Sequence, residues 1–517
     1  MNLRCLVVAS LLALFSCAAW TADLEKCPGG SPAAGRYLAV ISDLHIGNGR
    51  KADGSWHRTE DFRWDGALQT FLGRVQECGG GRTDLVIAGD LLELWQPLAH
   101  QKCKDSGGCT VDEMAAIAAT VLAGHRDTLA AFKDFAAKGD NVLHVIPGNH
   151  DATLLLSRIW NLFHDAVGAP VGRVKLVPNG IWLSGDGVVL IEHGHQIGSD
   201  ANRYDAWPQI LRKSNGRELV VQPWGEKFVQ TLFNAEEETY QIIDNLGPET
   251  AGARYRMADR GLWRTAGDMA RFIAFNLFET SIQQKGQFLG DPNEQQPKWD
   301  VGIGRGMGHV LFANALDAKD PFRAALLTDT AEAKALRAEL DAMAKDPGKT
   351  SDAEVEMMCD QIAIRKVDQR LCEKPHLGSG IERLLVPRKR VMADHLRARI
   401  KEAGLQNARV FVYGHTHLLE ETWTLSLSSF VRMTVLNTGA FQRVVDEEGF
   451  VARAEKAKPK LSPQEALKKF SPEDLAPCYT AVLIPYADGK PEAQTVRWLA
   501  PEGVAGRFVS ATDARCK

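Results

Sequence analysis

The chain has 517 residues, of which 45% are hydrophobic and 24% are charged, which is the composition of a globular protein. The length exceeds one typical domain of roughly 100–200 residues, although one large domain with insertions also fits. The formal net charge is −4, so no overall positive field attracts nucleic acid, and only a local basic groove leaves that function open.

The N-terminal segment has the pattern of a secretory signal peptide. Arg4 precedes an apolar run over residues 6–15, and small residues close the segment. The run is shorter than the ~20 residues that a transmembrane helix needs, and no other stretch has the pattern of a membrane span. We therefore expect residues 1–22 to be a signal peptide and the protein to be secreted or periplasmic. The residues ending at Cys17 faintly resemble a lipoprotein box, so a lipid anchor stays open as an alternative.

Removal of this segment leaves eight of the ten cysteines. An even number of cysteines in an exported chain predicts disulfide bonds. Cys103 with Cys109 and Cys359 with Cys372 are the pairs that lie nearest in sequence, although the full pairing cannot be deduced from sequence alone. No CxxC motif occurs, so a cysteine-bound metal ion is the less favoured interpretation.

Five short apolar segments predict buried strands. Each contains a β-branched run, which is typical of a strand that is covered on both faces. The segments are 36–45, 83–95, 141–151, 187–195 and 409–417. A strongly helical segment at 112–139 lies between the second and the third of them. This alternation of strand and helix predicts an α/β layered fold.

Polar side chains follow each predicted strand at its carboxyl end, where open α/β sheets place their ligand sites. These residues are Asp43, His45, Asp90, Asn149, His150, His193, His415 and His417. Each residue alone is more typical of a structural hydrogen-bonding role. Together, in this order and at these strand ends, they predict a functional site.

The motifs in this order resemble those of the calcineurin-like metallophosphoesterases. They are SDLH at 42–45, GD at 89–90, GNHD at 148–151, HG at 193–194 and GHTH at 414–417, with NTG following at 437–439. The resemblance covers roughly residues 36–200 and 405–445. It implies a four-layer αββα sandwich and an enzyme that hydrolyses phosphoesters with two metal ions.

The resemblance also implies a role for each matching residue. One metal ion would be bound by Asp43, His45 and His417, the other by Asn149, His193 and His415, and Asp90 would bridge both. Carboxylate, amide and imidazole donors suit Mn, Fe, Zn or Co. A hydroxide between the two ions would attack phosphorus. His150 would protonate the leaving oxygen or stabilise the phosphoryl charge, and Asp151 would either orient His150 or cap the following helix.

Two features near Asp90 allow a comparison with known subfamilies, one as a difference and one as a similarity. Purple acid phosphatases place a tyrosine three residues after the bridging aspartate, where this chain has Glu93, so a tyrosinate-bound ferric ion is not expected. The GDLLELW stretch resembles that of UDP-2,3-diacylglucosamine diphosphatases, but the similarity is too short to fix a substrate. We interpret Glu93 and Trp95 as packing against the helix that follows, with contact to the substrate as the alternative. His195 is expected either behind the metal ligands or facing the insert described next.

The segment between the fourth and fifth strands far exceeds the ~30 residues of a complete crossover unit. Its helical runs predict a mostly helical cap at 199–404 that covers the site, with a separate domain as the alternative. The sheet domain would then comprise residues 23–198 and 405–517, with a hairpin at 478–499.

The predicted function is that of an exported phosphoesterase acting on a phosphorylated substrate of unknown identity. Phosphodiesters are favoured, and monoesters or diphosphates are the alternatives because two metals would grip the phosphoryl oxygens of all three. A non-catalytic binding protein on the same scaffold is the alternative from another class of function.

Overall fold

The computed structural model describes residues 27–28, 35–105, 108–198, 202–214, 216–247, 255–256, 327–331, 333–334, 337–338, 388–417, 419–420, 422–428, 430–487 and 490–517. The expected signal peptide, most of the expected cap, and the Cys359 and Cys372 pair lie outside these residues. Within the described part of the chain, no helix has the length and apolarity needed to cross a membrane.

The first part of the chain builds a parallel sheet with connecting helices. Its elements are β1 (Tyr37–Ile41), α1 (Asp65–Cys78), β2 (Thr83–Ala88), α2 (Val111–Gly124), α3 (Arg126–Ala137), β3 (Val142–Ile146), α4 (Ser157–Val167) and β4 (Val174–Leu176). Strands β1 to β4 lie side by side in chain order and run parallel. Thr110 caps the N-terminus of helix α2, and its side chain and that of Glu113 form a capping box.

The middle part of the chain builds most of a second sheet. Its elements are β5 (Ile181–Leu183), β6 (Val189–Glu192), β7 (Leu211–Ser214), β8 (Arg217–Val220), α5 (Trp224–Phe228), α6 (Asn234–Glu237), β9 (Leu246–Gly247), α7 (Arg388–Arg399), β10 (Val410–Tyr413), β11 (Trp423–Ser426) and β12 (Arg432–Asn437). The sheet order is β11-β12-β10-β6-β5, with β12, β10 and β6 parallel. Strands β7 and β8 form a separate hairpin.

The last part of the chain returns to the first sheet. Its elements are β13 (Val445–Asp446), α8 (Glu447–Lys456), α9 (Pro463–Lys469), β14 (Cys478–Ile484), β15 (Tyr486–Ala487), β16 (Lys490–Pro491), β17 (Gln494–Leu499) and β18 (Arg507–Ser510). Strands β14 and β17 form an antiparallel hairpin in the region where one was predicted. Because β14 pairs antiparallel with β1, the first sheet has the order β18-β17-β14-β1-β2-β3-β4.

The two sheets pack face to face through aliphatic side chains. This inner core contains Leu38, Val40, Val86, Ile146, Val189, Ile191, Val412, Leu436 and Val482. Helices α1 to α4 cover the outer face of the larger sheet, and α7 covers the outer face of the smaller one. The expected α/β class is confirmed. Helix α7, which lies in the range expected for the cap, contributes Leu396 to the core over Phe411 of β10.

Disulfide bonds close three loops in the described chain. They join Cys27 to Cys78, Cys103 to Cys109, and Cys478 to Cys516. The second of these is one of the two sequence-local pairs. The first ties the segment before β1 to the end of α1, and the third ties the C-terminal turn to β14.

Candidate metal centre

The polar residues that follow β1, β2, β3, β6 and β10 converge at one edge of the sandwich. Three overlapping groups have ligand atoms that all lie within 4.8 Å of one another: Asp43 with His45 and His417; His45 with Asp90 and His150; and Asp90 with His193 and His415. Asn149 joins them, because its Oδ1 lies 2.9 Å from His193 Nε2. The structure thus brings together all eight residues that sequence reasoning selected at the strand ends.

The backbone at this edge is held in an unusual conformation. Asp43, His45, Asp90, His415 and His417 have φ values of 53°, 48°, 49°, 73° and 54°, and they are the non-glycine residues with positive φ in the described ranges. This left-handed conformation costs L-residues roughly 1–2 kcal/mol each. Such strain persists where the surroundings enforce it, most often at functional sites.

Glycines beside these residues leave room for the side chains. A Cβ on Gly89 would lie 2.1 Å from His193 Nδ1, and Gly89 itself has a φ of +92°. A Cβ on Gly148 would lie 2.2 Å from Asp90 Oδ1. The GD and GNHD motifs therefore require glycine, because neighbouring side chains leave no room for a Cβ atom at these positions.

His193 presents one ring nitrogen to a group of acceptors. Its Nδ1 lies 2.8 Å from the Ala88 carbonyl oxygen, to which it donates, so Nε2 faces Asn149 Oδ1 at 2.9 Å and Asp90 Oδ2 at 3.0 Å. The Asn149 amide nitrogen is buried without a hydrogen-bond partner. Burial lowers the pKa of His193, but the Asp90 carboxylate raises it to about 9. Without a metal ion, the His193 ring therefore carries a proton beside Asp90. A cation fits the same position.

A second group of donors lies around His45. Its Nε2 is 3.0 Å from His417 Nε2, and Asp43 Oδ1 is 3.5 Å from the latter atom. His45 Nδ1 lies 3.0 Å from Glu93 Oε2 and donates to it, which leaves Nε2 with its lone pair. Burial, followed by the charge of His150, lowers the pKa of His45, which favours the neutral ring that binds metals. This donor set also fits a cation.

Asp90 lies between the two groups. Its Oδ2 is 3.0 Å from His193 Nε2 and 3.8 Å from His45 Nε2, and the residue is 1% exposed. Burial raises the pKa of Asp90, but His193 and His150 hold it well below the usual range, so the carboxylate is ionised. A negative charge in this position reduces the repulsion between two nearby cations.

A family profile described as calcineurin-like phosphoesterase matches residues 37–271. This part of the chain is therefore assigned to the calcineurin-like metallophosphoesterase superfamily. No curated protein and no solved structure matched it. The family and the clusters of histidine and aspartate together identify a metal-dependent phosphoesterase, which acts on phosphorylated substrates.

In this metallophosphoesterase, His150 lies beside the donor groups and is held by Glu93 and Trp95. Its Nδ1 is 2.6 Å from Glu93 Oε2, and the Trp95 ring stacks on it with centroids 3.9 Å apart. Burial lowers the pKa of His150, but the carboxylates of Glu93 and Asp90 raise it to about 9. For Glu93, burial raises the pKa and His150 lowers it to about 2. The ring and the carboxylate therefore form an ion pair at neutral pH.

The contacts of Glu93 and Trp95 differ from the packing role expected for them. The next element is only a short 3₁₀ turn, Ala99–Gln101, and both side chains contact His150 instead. Sequence reasoning therefore missed Glu93 as the hydrogen-bond partner of His45 and His150. The available signal was an acidic residue three positions after Asp90, where it shares the strand-end loop.

Asp151 connects two loops of the metallophosphoesterase. Its Oδ1 accepts a hydrogen bond from the Gly148 N–H at 2.6 Å, and its Oδ2 accepts from the N–H groups of Leu91 and Leu92 at 2.8 and 3.2 Å. Its side chain forms no helix-capping hydrogen bond. These bonds differ from both expected roles of Asp151, because the partner of the His150 ring is Glu93.

The first described residues of the insert lie against the metal centre. Tyr204 Oη donates to the Asn149 carbonyl oxygen at 3.2 Å, and the Trp207 ring meets the His195 ring edge-on with centroids 4.5 Å apart. His195 is buried, and its Nδ1 has no hydrogen-bond partner. Further along, Asn234 Nδ2 donates to the Trp95 carbonyl oxygen at 3.3 Å. His195 therefore faces both the donor groups and the insert.

Proposed function

We propose that this chain is an exported phosphodiesterase with two metal ions in the centre described above. One ion would be held by Asp43, His45 and His417, the other by Asn149, His193 and His415, and Asp90 would bridge both. The observation that carries this proposal is the position of the Asp90 carboxylate, which takes part in two of the donor groups. The proposal includes a cap formed by the insert over an αββα sandwich, supported by the contacts of Tyr204 and Trp207.

The ions would polarise the phosphoryl oxygens and lower the pKa of a bound water. The chain's own residues orient the histidines that would bind the ions. The Ala88 carbonyl oxygen and Glu93 fix the two histidines His193 and His45 by accepting from their Nδ1 atoms. This orientation directs each Nε2 toward the same space, as the partner of a metal-binding histidine generally does.

His150 is proposed to donate a proton to the leaving oxygen. Its Nδ1 proton is engaged by Glu93, so Nε2 is the nitrogen available to a substrate. The same bond keeps the ring protonated, and Trp95 fixes its plane. General-acid residues of this kind contribute about 10²–10⁴-fold to the rate.

The charges around His150 favour a diester over a monoester. Glu226 is buried, accepts hydrogen bonds from Gln222 and Gln230 at 2.8 and 3.0 Å, and interacts electrostatically with His150. Burial raises the pKa of Glu226 to about 7, so at neutral pH this carboxyl group is partly ionised and adds a partial negative charge beside the centre. A diester carries one negative charge where a monoester carries about two, so it is repelled less.

The three disulfides support export, because such bonds persist in oxidising compartments. Location can be checked by fractionating cells that express the full chain and determining the N-terminus of the product. Export predicts a chain shortened by about the first 22 residues and found outside the cytoplasm. A product in the cytoplasm that keeps Met1 would contradict it.

The activity is tested with the full chain loaded with Mn, Fe, Zn or Co. Bis-nitrophenyl phosphate, nitrophenyl phosphate and a nucleotide-sugar represent diesters, monoesters and diphosphates. We expect kcat/KM for the diester to be at least about 10-fold the other two. A preference for either of the others would move the proposal to a phosphomonoesterase or a pyrophosphohydrolase on the same site, and no hydrolysis with any metal would favour a binding protein.

Two variants separate chemistry from metal binding. His150→Ala should lower kcat on a substrate with a poor leaving group by about 10²–10⁴-fold and leave the metal content intact. Asp90→Ala should lower both turnover and metal content. Full activity of the His150→Ala protein on that substrate would remove His150 from its acid role.

A further inference from the structure

A second cluster of carboxyl groups lies outside the metal centre. Asp61 is in the loop before α1, Glu237 is the last residue of α6, and Asp244 lies between α6 and β9. One carboxylate oxygen from each lies within 4.8 Å of the others. Asp61 and Glu237 are 6% and 3% exposed, and Asp244 is half-buried.

Glu237 points into this cluster, where the carboxyl group of Asp244 is its neighbour. Both of its carboxylate oxygens are buried and lack a hydrogen-bond partner. In the part of the chain that the structure describes, no lysine or arginine forms an ion pair with any of the three residues. Burial, followed by the charge of Asp244, raises the pKa of both Glu237 and Asp61 well above the usual range. A buried carboxylate in this setting requires a counter-charge or a proton.

The backbone around the three residues is held in place independently of them. The neighbouring Glu60 accepts hydrogen bonds from the N–H groups of Gly47 and Phe62 at 3.2 and 2.9 Å. On the other side, Tyr240 and Leu246 pack with Phe450 and other residues of a separate apolar cluster, and β9 pairs with β13. The carboxyl groups are therefore brought together by packing on both sides.

We propose that Asp61, Glu237 and Asp244 bind one hard divalent cation of the calcium class. The donors are all oxygens, which calcium prefers at 2.3–2.6 Å, so that ligands across the ion lie about 4.6–5.2 Å apart. Three oxygens that all lie within 4.8 Å of one another can contact one ion of that size together. The histidine-rich centre has the opposite preference, for transition metals, so the two sites are chemically distinct.

A cation at this position would join the insert to the sheet domain. It would tie the end of α6 to the loop before α1, while Asn234 at the start of α6 donates to the Trp95 carbonyl oxygen. Trp95 in turn stacks on His150. The cation would thus fix the wall of the catalytic site from a distance.

Binding is tested on the full chain with its histidine-rich centre loaded with Mn and calcium then removed. Equilibrium dialysis with radioactive calcium should give one ion per chain with a dissociation constant of about 10⁻⁶–10⁻³ M. Asp61→Asn and Glu237→Gln should each weaken binding at least about 10-fold. Glu238→Gln, in the exposed neighbour, is the matched control and should bind as wild type. Asp90→Ala should lose Mn and keep calcium, which separates this proposal from the proposed phosphodiesterase activity.

Thermal unfolding distinguishes a variant that has lost calcium binding from a variant that is only misfolded. Without calcium, Asp61→Asn should unfold at the same temperature as the wild type or higher, because it removes repulsion. Added calcium should raise the unfolding temperature of the wild type and of Glu238→Gln, and not that of Asp61→Asn. If the wild type binds no calcium, or if Asp61→Asn gains as much as the wild type, the carboxyl groups share protons and the proposal is wrong.

Discussion

Glu93 serves two histidines with different tasks. The same oxygen, Oε2, lies 3.0 Å from His45 Nδ1 and 2.6 Å from His150 Nδ1, and Oε1 accepts from the Trp95 N–H at 2.7 Å. One carboxylate thereby orients the proposed metal ligand His45, favours the protonated form of the proposed acid His150, and holds the loop that carries Trp95. The orientation of both histidine rings therefore depends on a single side chain.

Replacing this carboxylate tests its role. Glu93→Gln should lower kcat/KM by about 10–100-fold, because partners of metal-binding histidines typically contribute that much. It should also weaken metal binding, since the His45 ring loses a charged acceptor. Glu77→Gln, on the exposed face of α1, is the control and should change neither. A variant with wild-type activity and metal affinity would show that Glu93 is only packed there.

The motif glycines provide a second residue-scale prediction. Gly148→Ala would place a Cβ 2.2 Å from Asp90 Oδ1, so the Asp90 carboxylate would have to move. We expect metal content and turnover to fall together, by at least about 100-fold in kcat/KM, because small displacements of reacting groups are costly. Gly66→Ala in α1, where an added Cβ meets nothing within 4 Å, should retain both. Metal analysis with a diester assay makes the measurement, and equal metal content in the two variants would contradict the steric argument.

The residue scale also shows what sequence reasoning can reach. The strand-end motifs were readable because each is a short local pattern that ends an apolar run. Glu93 and its partner His150 are 57 positions apart, and nothing local to either one reveals the contact. The roles expected for Asp151 missed its bonds to Leu91 and Leu92 for the same reason, because those bonds cross between two loops.

At the scale of elements, one partly buried carboxylate, that of Asp84, links the first three strands. Asp84 of β2 accepts a hydrogen bond at 2.6 Å from Nε of Arg36, which precedes β1. It accepts another at 3.0 Å from Nε2 of His144, which lies in β3. Burial raises the pKa of Asp84, but His144 and Arg36 together hold it below the usual range. The ionised carboxylate therefore stabilises the register of the three strands.

This interaction predicts a pH-dependent stability. Since the folded pKa of Asp84 lies below the unfolded value of about 3.9, its contribution is present above that pH and is lost as the pH falls through the folded pKa. At pH 7, Asp84→Asn should lose about 1–2 kcal/mol of the free energy of unfolding, discounted because Arg36 is partly exposed. The difference should shrink below about pH 4. Urea unfolding at both pH values makes the comparison, and a constant difference would argue against it.

The α/β class followed from the sequence, whereas the grouping of strands did not. The fourth and fifth predicted segments have the same apolar pattern as the first three, yet β6 and β10 lie in the second sheet. Strand β14 pairs with β1 although more than 400 residues separate them. An apolar run predicts that a strand is buried, but it does not indicate which strand will pair with it. The pairing depends on packing across the whole chain.

At the scale of the whole molecule, the metal centre lies where both sheets end. Asp90 and Asn149 follow strands of the larger sheet, and His193 and His415 follow strands of the smaller one. Bound ions would therefore cross-link the two sheets and offset the strain of the five left-handed residues.

Metal removal should accordingly destabilise the fold. Chelation should lower the unfolding temperature by about 5–10 °C, since a tightly bound ligand typically adds about 3–4 kcal/mol. Adding Mn back should restore both the temperature and the activity. The unfolding temperature of Asp90→Ala should show almost no dependence on Mn. If a preparation shown to be metal-free unfolds at the same temperature as the loaded protein, the ions do not hold the sheets together.

The spacing of the donors along the chain has a consequence for biosynthesis. His45 and His417 are adjacent in space but 372 positions apart in sequence. At roughly 5–20 residues per second, the ribosome makes His417 about 20–75 s after His45. Until then, the early donors can form only an incomplete chelate. Full metallation of the proposed centre would therefore follow translation, in the compartment where the chain folds.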